Sequence, residues 1–485
     1  MATITDYKTK KDVITAAERV LGKTLREVID ADDIPAVEQK LAEYGTNRKG
    51  FFGDLVEQYV FGVENNSRSE ADFNIAGIEL KTTPLKKHAK KQYVSKERLV
   101  FSMINYDAVI GETWETSSFL KKNRLLLLMF YLWLQERDLL DYEFKFVHFL
   151  DLLGDISAED ILQIRKDWEF IVDKVRRGEA HLLSEGDTYY LGACTKAANS
   201  RVVRDQPRAR IPAKPRAFSL KQTYLNYLIQ TRLLGNEAEA PSIYRTPKEK
   251  KETIEQVVEG KFRGLVGKTD VEIMKSIGWK ATKRPKNFKR LLVNRILTGT
   301  GSNHVEELEK ANVTLRVITL EHTGTLKESI SFPAFDYRDL VTQTWYDEEK
   351  EVMSDFHAQL EMNRFLFVIF QKQKDSKDIV LKGFRFWNFP VGDMEKAQQV
   401  WEETVKLIKA GKVVKAVEKG KAKTFFPGST FNGVVHVRPH GADSRDTSPL
   451  PVADKLTGRK AHVKQCFWLN ASYVQQAIES ANDQY

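Results

Sequence analysis

The second half of this 485-residue chain repeats the first half, weakly but in the same order. A chance match could produce any one of the shared segments, but not all of them in sequence order. The repeat therefore predicts two copies of one α/β fold. The matched positions are residues 96–101 with 327–332, Tyr106 with Tyr337, Trp114 with Trp345, residues 123–124 with 363–364, Trp168 with Trp401, Phe218 with Phe467, and Tyr224 with Tyr473.

The composition between the two copies predicts a linker. Residues 235–250 are polar and contain Gly235 and Pro241, and residues 251–298 have the spacing of short amphipathic helices. We therefore expect three parts, with boundaries at residues 1–234, 235–300 and 301–485. The middle part is interpreted as a helical bridge, and a small helical module that contacts DNA is the alternative.

The most chemically informative segment is residues 69–81. Alternation along a strand places Glu79 and Lys81 on one face, with Ile78 and Leu80 on the other. Asp72 precedes a bend at Gly77 that can bring it to the face of Glu79. Two carboxylates beside an ammonium group suit a Mg²⁺ site for phosphodiester hydrolysis, because hard oxygen ligands hold the ion and the lysine acts on the attacking water. The alternative is an edge strand whose charged face discourages pairing.

The second copy lacks this charge pattern. The repeat places Thr314 opposite Glu79 and Arg316 opposite Lys81. Threonine cannot supply a metal-binding charge, and arginine stays protonated, so it cannot serve as a base. We therefore expect the second copy to be catalytically inactive. The tryptophans at the matched positions recur in both copies, which indicates core packing and not chemistry.

The second copy nevertheless keeps basic and aromatic side chains near its end. Arg438, His440 and Trp468 are of the types that contact DNA backbones and base edges. They predict an effector copy that binds duplex DNA without cutting it.

Composition agrees with a polyanionic partner without requiring one. The chain has 76 basic and 67 acidic residues, a net charge of +9. The two cysteines, Cys194 and Cys466, lie far apart and have no metal-ligand spacing, which argues against a disulfide framework and fits a reducing cytoplasm. No export signal is visible at the first residues. The apolar run 125–134 is too short to cross a bilayer and predicts a buried strand or short core helix.

Several motifs of the chain resemble MutH and, more closely, the type II restriction endonucleases related to MutH that cut at GATC. The second-half motifs also resemble the tail half of those enzymes. The motifs that carry the resemblance are Lys49-Gly-Phe-Phe-Gly-Asp-Leu-Val-Glu57, Asp72 to Glu79-Leu-Lys81-Thr-Thr-Pro84, Trp114-Glu-Thr-Ser117, Thr195-Lys-Ala-Ala-Asn-Ser200 and Arg216-Ala-Phe-Ser-Leu-Lys221.

The resemblance implies a restriction-endonuclease-like, MutH-like α/β fold in each copy, with a mixed central sheet flanked by helices, and Mg²⁺-dependent cleavage of duplex DNA at GATC. It implies metal binding by Asp72 and Glu79, catalysis by Lys81, and a helical glutamate at Glu57. A further active-site lysine falls at Lys122, with Lys121 as the alternative.

The resemblance also implies contacts to DNA. Lys49 matches a position next to the duplex, the base-reading loop maps onto residues 194–196 with Lys196, and a second reading position maps onto Ser219. MutH has an arginine where Cys194 stands and a tyrosine where Ser219 stands, and Arg438 and Trp468 are closer to those two residues. Arg216 and the basic loop 201–216 are expected to hold phosphates.

The sequence thus predicts a type II restriction endonuclease that cuts duplex DNA at GATC and uses its second copy as effector. A mismatch-repair nicking enzyme and a non-catalytic DNA-binding regulator are the alternatives. We expect a cytoplasmic protein, monomeric when free and with dimerisation on DNA left open, encoded beside a cognate DNA methyltransferase.

Overall fold

The protein is described from a computed structural model, which covers residues 7–44, 50–63, 70–196, 201–280, 284–347, 352–418 and 421–479. It forms two compact units. The described residues of 7–258 and 304–313 make the first unit, and those of 259–303, 314–347 and 352–479 make the second. The first unit thus extends past residue 234, where its predicted boundary falls, and takes in a later segment.

The α-helices are α1 (Lys10–Glu18), α2 (Leu25–Val28), α3 (Ile34–Tyr44), α4 (Phe51–Leu55), α5 (Tyr106–Val109), α6 (Ser118–Asn123), α7 (Ala158–Arg176), α8 (Gln222–Leu228), α9 (Ile254–Arg263), α10 (Asp270–Ser276), α11 (Phe288–Thr298), α12 (Glu306–Lys310), α13 (Tyr337–Leu340), α14 (Asp355–Glu361), α15 (Met394–Lys409) and α16 (Ala471–Glu479).

The strands are β1 (Ile78–His88), β2 (Gln92–Ser95), β3 (Leu99–Met103), β4 (Leu125–Leu132), β5 (Glu143–Asp151), β6 (Leu191–Thr195), β7 (Arg204–Gln206), β8 (Ala209–Ala213), β9 (Arg216–Leu220), β10 (Val313–Leu320), β11 (Ile330–Ser331), β12 (Tyr346–Asp347), β13 (Val352–Met353), β14 (Arg364–Lys372), β15 (Ile379–Asn388), β16 (Val414–Glu418), β17 (Lys421–Thr424), β18 (Val435–Pro439), β19 (Thr447–Pro449), β20 (Ala461–Val463) and β21 (Gln465–Leu469).

The main sheet of the first unit has the strand order β2-β1-β4-β5. β1 runs parallel to β4 and β4 antiparallel to β5, so the sheet is mixed. The apolar run that predicted a buried strand or core helix is β4, and it is central in the sheet. A strand packed on both faces reads as a continuous apolar run, which is why its sequence does not alternate.

Helices α1 to α4 cover one face of this sheet. Ile78 and Leu80 of β1 belong to the same core cluster as Leu127 and Met129 of β4. Because successive side chains point to opposite faces, this packing turns Glu79 and Lys81 to the other face. The apolar residues of β1 therefore fix the direction of its charged ones.

A second sheet in the first unit has the order β3-β9-β6, with both pairs antiparallel. The second unit contains sheets of order β10-β14-β15 and β11-β21-β18, in which β14–β15, β11–β21 and β18–β21 are antiparallel. Chain order and strand neighbours thus correspond between the units for these six strands. In the described part of the chain, no helix has both the length and the apolarity that a bilayer crossing requires.

The predicted packing role of the tryptophans is confirmed in both units. Trp114 and Trp168 are buried with ring centroids 5.9 Å apart, and Trp345 and Trp401 are buried with the same separation. In each unit the long helix that carries the second tryptophan is followed by a glycine with positive φ, Gly178 or Gly411.

Residues 304–313 dock on the first unit through a buried ion pair. The Nζ of Lys310 donates to both carboxylate oxygens of Asp160 on α7, at 2.8 and 2.7 Å, and the two residues are 5% and 2% exposed. The hydroxyl of Tyr224 donates to the same carboxylate at 2.9 Å. Nζ also lies 4.3 Å from the ring centroid of Tyr227. Charge, hydrogen bonds and aromatic faces together compensate the desolvation of both ions.

We predict that Lys310→Met destabilises the first unit by about 3–5 kcal/mol, because the Asp160 carboxylate would remain buried without its counter-ion. Hydrogen exchange of α7 and α8 amides, followed by mass spectrometry, measures this loss as faster exchange. The matched control is Lys248→Met at an exposed site, where we expect little change. Unchanged protection of α7 in Lys310→Met would contradict the role given to this segment.

Candidate active site

Asp72 is tied to β1 by a turn closed at Gly77. Phe73 and Ile78 exchange backbone hydrogen bonds of 3.0 and 3.2 Å, and Gly77 adopts φ +66°, a conformation that glycine tolerates without cost. The Leu80 N–H donates to Oδ2 of Asp72 at 2.9 Å. The predicted bend therefore brings Asp72 to the strand that carries Glu79.

Glu79 lies in the centre of the site and is 2% exposed. Its Oε1 accepts from Nζ of Lys81 at 2.7 Å and is 3.6 Å from Nζ of Lys122. Its other oxygen, Oε2, is buried and has no hydrogen-bond partner among the described residues. A buried carboxylate oxygen without a partner is costly, which makes this atom the point of the site that a ligand can stabilise.

Lys122 reaches Glu79 from helix α6. Ser117 caps this helix by accepting from the Leu120 N–H at 3.2 Å, and the helix ends at Asn123, whose amide donates to the Phe119 carbonyl at 2.9 Å. Lys122 is half-buried beside Glu79, whereas Lys121 is exposed. The geometry favours Lys122 of the two lysines that the sequence left open.

Glu57 lies on a π-helical turn, Val56–Val60, that continues α4. Such turns recur at functional sites. Burial and the negative charges of Asp72, Asp54 and Glu79 raise the pKa of Glu57 to about 7. Asp54 is the acidic residue that sequence reasoning missed; its spacing of three from Glu57, one helical turn, was the available signal.

Burial raises the pKa of Glu79 as well, with Lys81 acting in the opposite direction. Carboxylates whose charge is disfavoured by burial and by one another gain from a nearby cation. In the described residues, no three His, Cys, Asp or Glu side chains form a metal-ligand cluster. Mg²⁺ is commonly held by one or two carboxylates with water and phosphate completing the shell, so Asp72 and Glu79 with the unpartnered Oε2 fit such an ion.

The predicted DNA contacts of the first unit differ in accessibility. Lys196 follows β6 and is half-buried, and Lys49 lies outside the described residues. Arg216 is 5% exposed and donates to the Ala193 carbonyl at 2.6 Å, and Ser219 is 0% exposed within β9. Both stay predictions, and their burial argues against a direct contact with DNA in this conformation.

The predicted DNA contacts of the second unit lie together. β18 and β21 pair Arg438 with Cys466 and His436 with Trp468. The guanidinium of Arg438 lies 3.9 Å from the ring centroid of Trp468, and the exposed His440 ring meets the same indole edge-on at 5.5 Å. The result is a basic surface with an aromatic ring beneath it.

The positions that match the catalytic pair form neutral or backbone contacts in the second unit. Thr314 exchanges hydrogen bonds with Asn363, the shorter being 3.0 Å, and Arg316 donates to the Ser331 carbonyl at 3.0 Å. Neither position supplies a carboxylate.

Comparison with known proteins shows which proteins this chain is similar to. Residues 61–167 match the family model for the DNA mismatch repair enzyme MutH. The chain is 32% identical to the type II restriction enzyme Sau3AI of Staphylococcus aureus, over 98% of this chain and 99% of that enzyme. It is 28% identical to the DNA mismatch repair protein MutH of Shigella flexneri serotype 5b, over 47% of this chain and 94% of that protein. MutH of Escherichia coli O6:K15:H31 is 27% identical over the same shares.

These relationships and the MutH-like nuclease domain define a site-specific endodeoxyribonuclease of a restriction system. Within that class, the chain belongs to the family of type II restriction endonucleases that includes Sau3AI.

We predict that, without metal, Glu57→Gln is more stable than the unsubstituted protein at pH 8. At pH 5 this gain in stability should be smaller. The folded pKa of about 7 exceeds the ordinary value of 4.5, so the folded state binds more protons and wild-type stability falls as pH rises between these values. The difference should reach about 1–2 kcal/mol after solvent screening.

Chemical unfolding in the presence of a chelator measures this difference at both pH values. Glu18→Gln, an exposed change on α1, controls for the loss of one charge. A pH-independent difference between Glu57→Gln and wild type would contradict the electrostatic account of the site.

Proposed function

We propose that this enzyme hydrolyses both strands of duplex DNA at GATC in a Mg²⁺-dependent reaction. The observation that carries the proposal is the buried Glu79, which pairs with Lys81 through one oxygen and has the other oxygen unpartnered among the described residues. The GATC sequence rests on the motif resemblance, and family membership supports the restriction reaction.

Asp72 and Glu79 would hold the ion. When bound, Mg²⁺ supplies Lewis-acid stabilisation of the charge that develops on the phosphate and lowers the pKa of water. Asp72 is held in place for this by the Leu80 N–H, so its second oxygen is the one available to a ligand.

Lys81 would orient the attacking water and place a positive charge beside the phosphate. Its ammonium lies on the same strand face as Glu79 and is about one-fifth exposed, so it can meet solvent and substrate. Lys122, equally exposed, adds positive charge beside Glu79, where the phosphate becomes more negative in the transition state. Glu57, with its pKa near 7, can exchange a proton at neutral pH.

Lys49, Lys196 and the basic segment 201–216 would hold the phosphates of the duplex. Arg216 supports this surface from below, since its guanidinium binds the Ala193 carbonyl on the neighbouring strand β6. Ser219 would reach a base only after a local rearrangement of β9.

The second unit is proposed to be a duplicate of the first that has lost catalysis and binds a second GATC site as effector. Matching strand orders and the paired tryptophans support the duplication. Thr314 and Arg316 support the loss of catalysis. The surface of Arg438, Trp468 and His440 supports DNA binding, with stacking and phosphate contact from one cluster. The proposed functional parts are residues 1–234, 235–300 and 301–485, whereas the compact units divide after residue 258 and place residues 304–313 with the first unit.

A cytoplasmic enzyme that is monomeric when free and is encoded beside a GATC methyltransferase fits this function. A mismatch-repair nickase is the alternative that the partial MutH match supports. Nicked circular product, in place of linear product, would favour it.

We predict that the enzyme linearises GATC plasmid with Mg²⁺ and that Lys81→Ala lowers the rate by about 10²- to 10⁴-fold, because the water loses its positioning group. Binding to a GATC duplex, measured with Ca²⁺ in place of Mg²⁺, should persist. Lys121→Ala, an exposed change beside Lys122, serves as control and should cut normally. Normal turnover by Lys81→Ala would exclude its proposed role.

We also predict that plasmids with two GATC sites are cut faster than plasmids with one site. Arg438→Ala combined with Trp468→Ala should remove the stimulation and leave one-site cleavage unchanged, because the cluster lies on the unit without the catalytic pair. Cleavage rates on matched one-site and two-site plasmids measure the effect. Equal rates in the unsubstituted enzyme would count against an effector unit.

A further inference from the structure

The proposed catalytic strand β1 continues beyond its pairing with β4 as a basic two-stranded ribbon with β2. β1 pairs with β4 from Ile78 to Leu85, and from Leu85 to His88 it pairs with β2 instead. We call residues 86–92 the basic ribbon. Its four lysines are all exposed: Lys86, Lys87, Lys90 and Lys91.

The tip of the basic ribbon has a defined backbone. Nδ1 of His88 accepts from the backbone N–H groups of Lys90 and Lys91, at 3.3 and 3.1 Å. Gln92 then takes a left-handed conformation, φ +58°, that closes the turn. The imidazole nitrogen thereby accepts hydrogen bonds from two N–H groups of the turn that would otherwise donate to water.

The base of the basic ribbon is also anchored. The Tyr93 carbonyl accepts from Nε2 of Gln230 at 2.7 Å, and the Tyr93 ring packs edge-on against Phe146 of β5 at 5.6 Å. The lysines are therefore presented at fixed positions relative to Glu79 and Lys81, which lie on the same continuous strand.

The four lysines have no ion-pair partner within the described residues. By contrast, Lys81 and Lys122 lie beside Glu79, and Lys310 pairs with Asp160. Glu237 and Glu239 line a cleft of about 800 Å³ together with Lys90 and Lys91, but no ion pair links them. Four like charges within six positions repel one another, and this cost is offset when a polyanion lies against them.

We propose that the basic ribbon binds the phosphate backbone of the duplex flanking the cleaved bond. This proposal rests on the proposed function, which takes Lys81 as the catalytic lysine and therefore places the cleaved bond beside Lys81. A strand rises about 3.3 Å per residue, so Lys86 and Lys87 lie roughly 17–20 Å along β1 from Lys81. Duplex phosphates repeat about every 3.4 Å per strand, which places the contacts some five to six base pairs from the cleaved bond.

The proposed contacts run from lysine ammonium groups to phosphates, which carry no base identity, so the contact would be independent of sequence. It would add salt-dependent affinity and orient the duplex along β1, while GATC is read elsewhere. The chemistry fits DNA backbone specifically because lysines act as point charges toward phosphate.

The test uses the full-length enzyme with Lys86→Gln, Lys87→Gln, Lys90→Gln and Lys91→Gln combined. Binding is measured with Ca²⁺ between about 50 and 200 mM salt, on GATC duplexes of roughly 8 and 30 base pairs, the shorter extending only about four base pairs from its centre. On the long duplex we expect the log–log salt slope to become shallower by about 2–4, since each lost phosphate contact contributes about 0.9. On the short duplex, which ends before the ribbon's reach, variant and wild type should bind alike.

The control is an equal loss of charge at exposed lysines elsewhere in the first unit, namely Lys8, Lys11, Lys23 and Lys40 changed to Gln. Circular dichroism and thermal unfolding check that both variants fold. A slope unchanged from wild type, an equal loss on the short duplex, or an equal effect of the control would overturn the proposal. If wild type fails to cut GATC at all, the proposed function fails instead, while the slope comparison on duplex DNA still decides the role of the ribbon.

Discussion

The buried charge of Glu79 is the constraint on which the active site depends. A carboxylate that is 2% exposed requires compensation, and Lys81 and Lys122 provide it at one oxygen only. This arrangement needs β1 in one register, because a slip of one residue would turn Glu79 toward the helices and Leu80 toward the lysines. The core formed by Ile78, Leu80 and β4 therefore holds the geometry of the candidate site as well as the fold.

The features that local sequence determines were predictable. Alternation in β1 gave the common face of Glu79 and Lys81, and the bend at Gly77 gave the approach of Asp72, because both follow from backbone geometry over a few residues. The apolar run of β4 indicated a buried element by composition, with the choice between strand and helix left open. The repeated motifs occur in one order in both halves, and six strands of the second unit have neighbours that correspond to those of the first, while the two-copy fold itself stays a prediction.

Features that depend on tertiary packing could not be read from one sequence. Lys121 and Lys122 differ by one helical position, and only the placement of α6 decides which one faces Glu79. Ser219 alternates with Phe218 and Leu220 as a surface residue would, yet it is 0% exposed on β9, the central strand of its sheet. The docking of residues 304–313 depends on contacts of Lys310 with Asp160 and with tyrosine rings that are distant from it in sequence, so no local sequence pattern predicts it.

The proposed duplicate explains how one fold can separate cutting from binding. The strand registers make Cys194 equivalent to Arg438 and Ser219 equivalent to Trp468, so small side chains in the first unit correspond to an arginine and a tryptophan in the second. On β10, which corresponds to β1, the difference runs the other way, because the small Thr314 of the second unit corresponds to the charged Glu79 of the first. Because Thr314 forms a neutral hydrogen bond with Asn363 where the first unit buries Glu79, the second unit leaves no buried carboxylate there that needs a cation. Under the proposed duplication, replacing the carboxylate would carry no penalty for folding, and the second unit would be free to specialise in holding DNA.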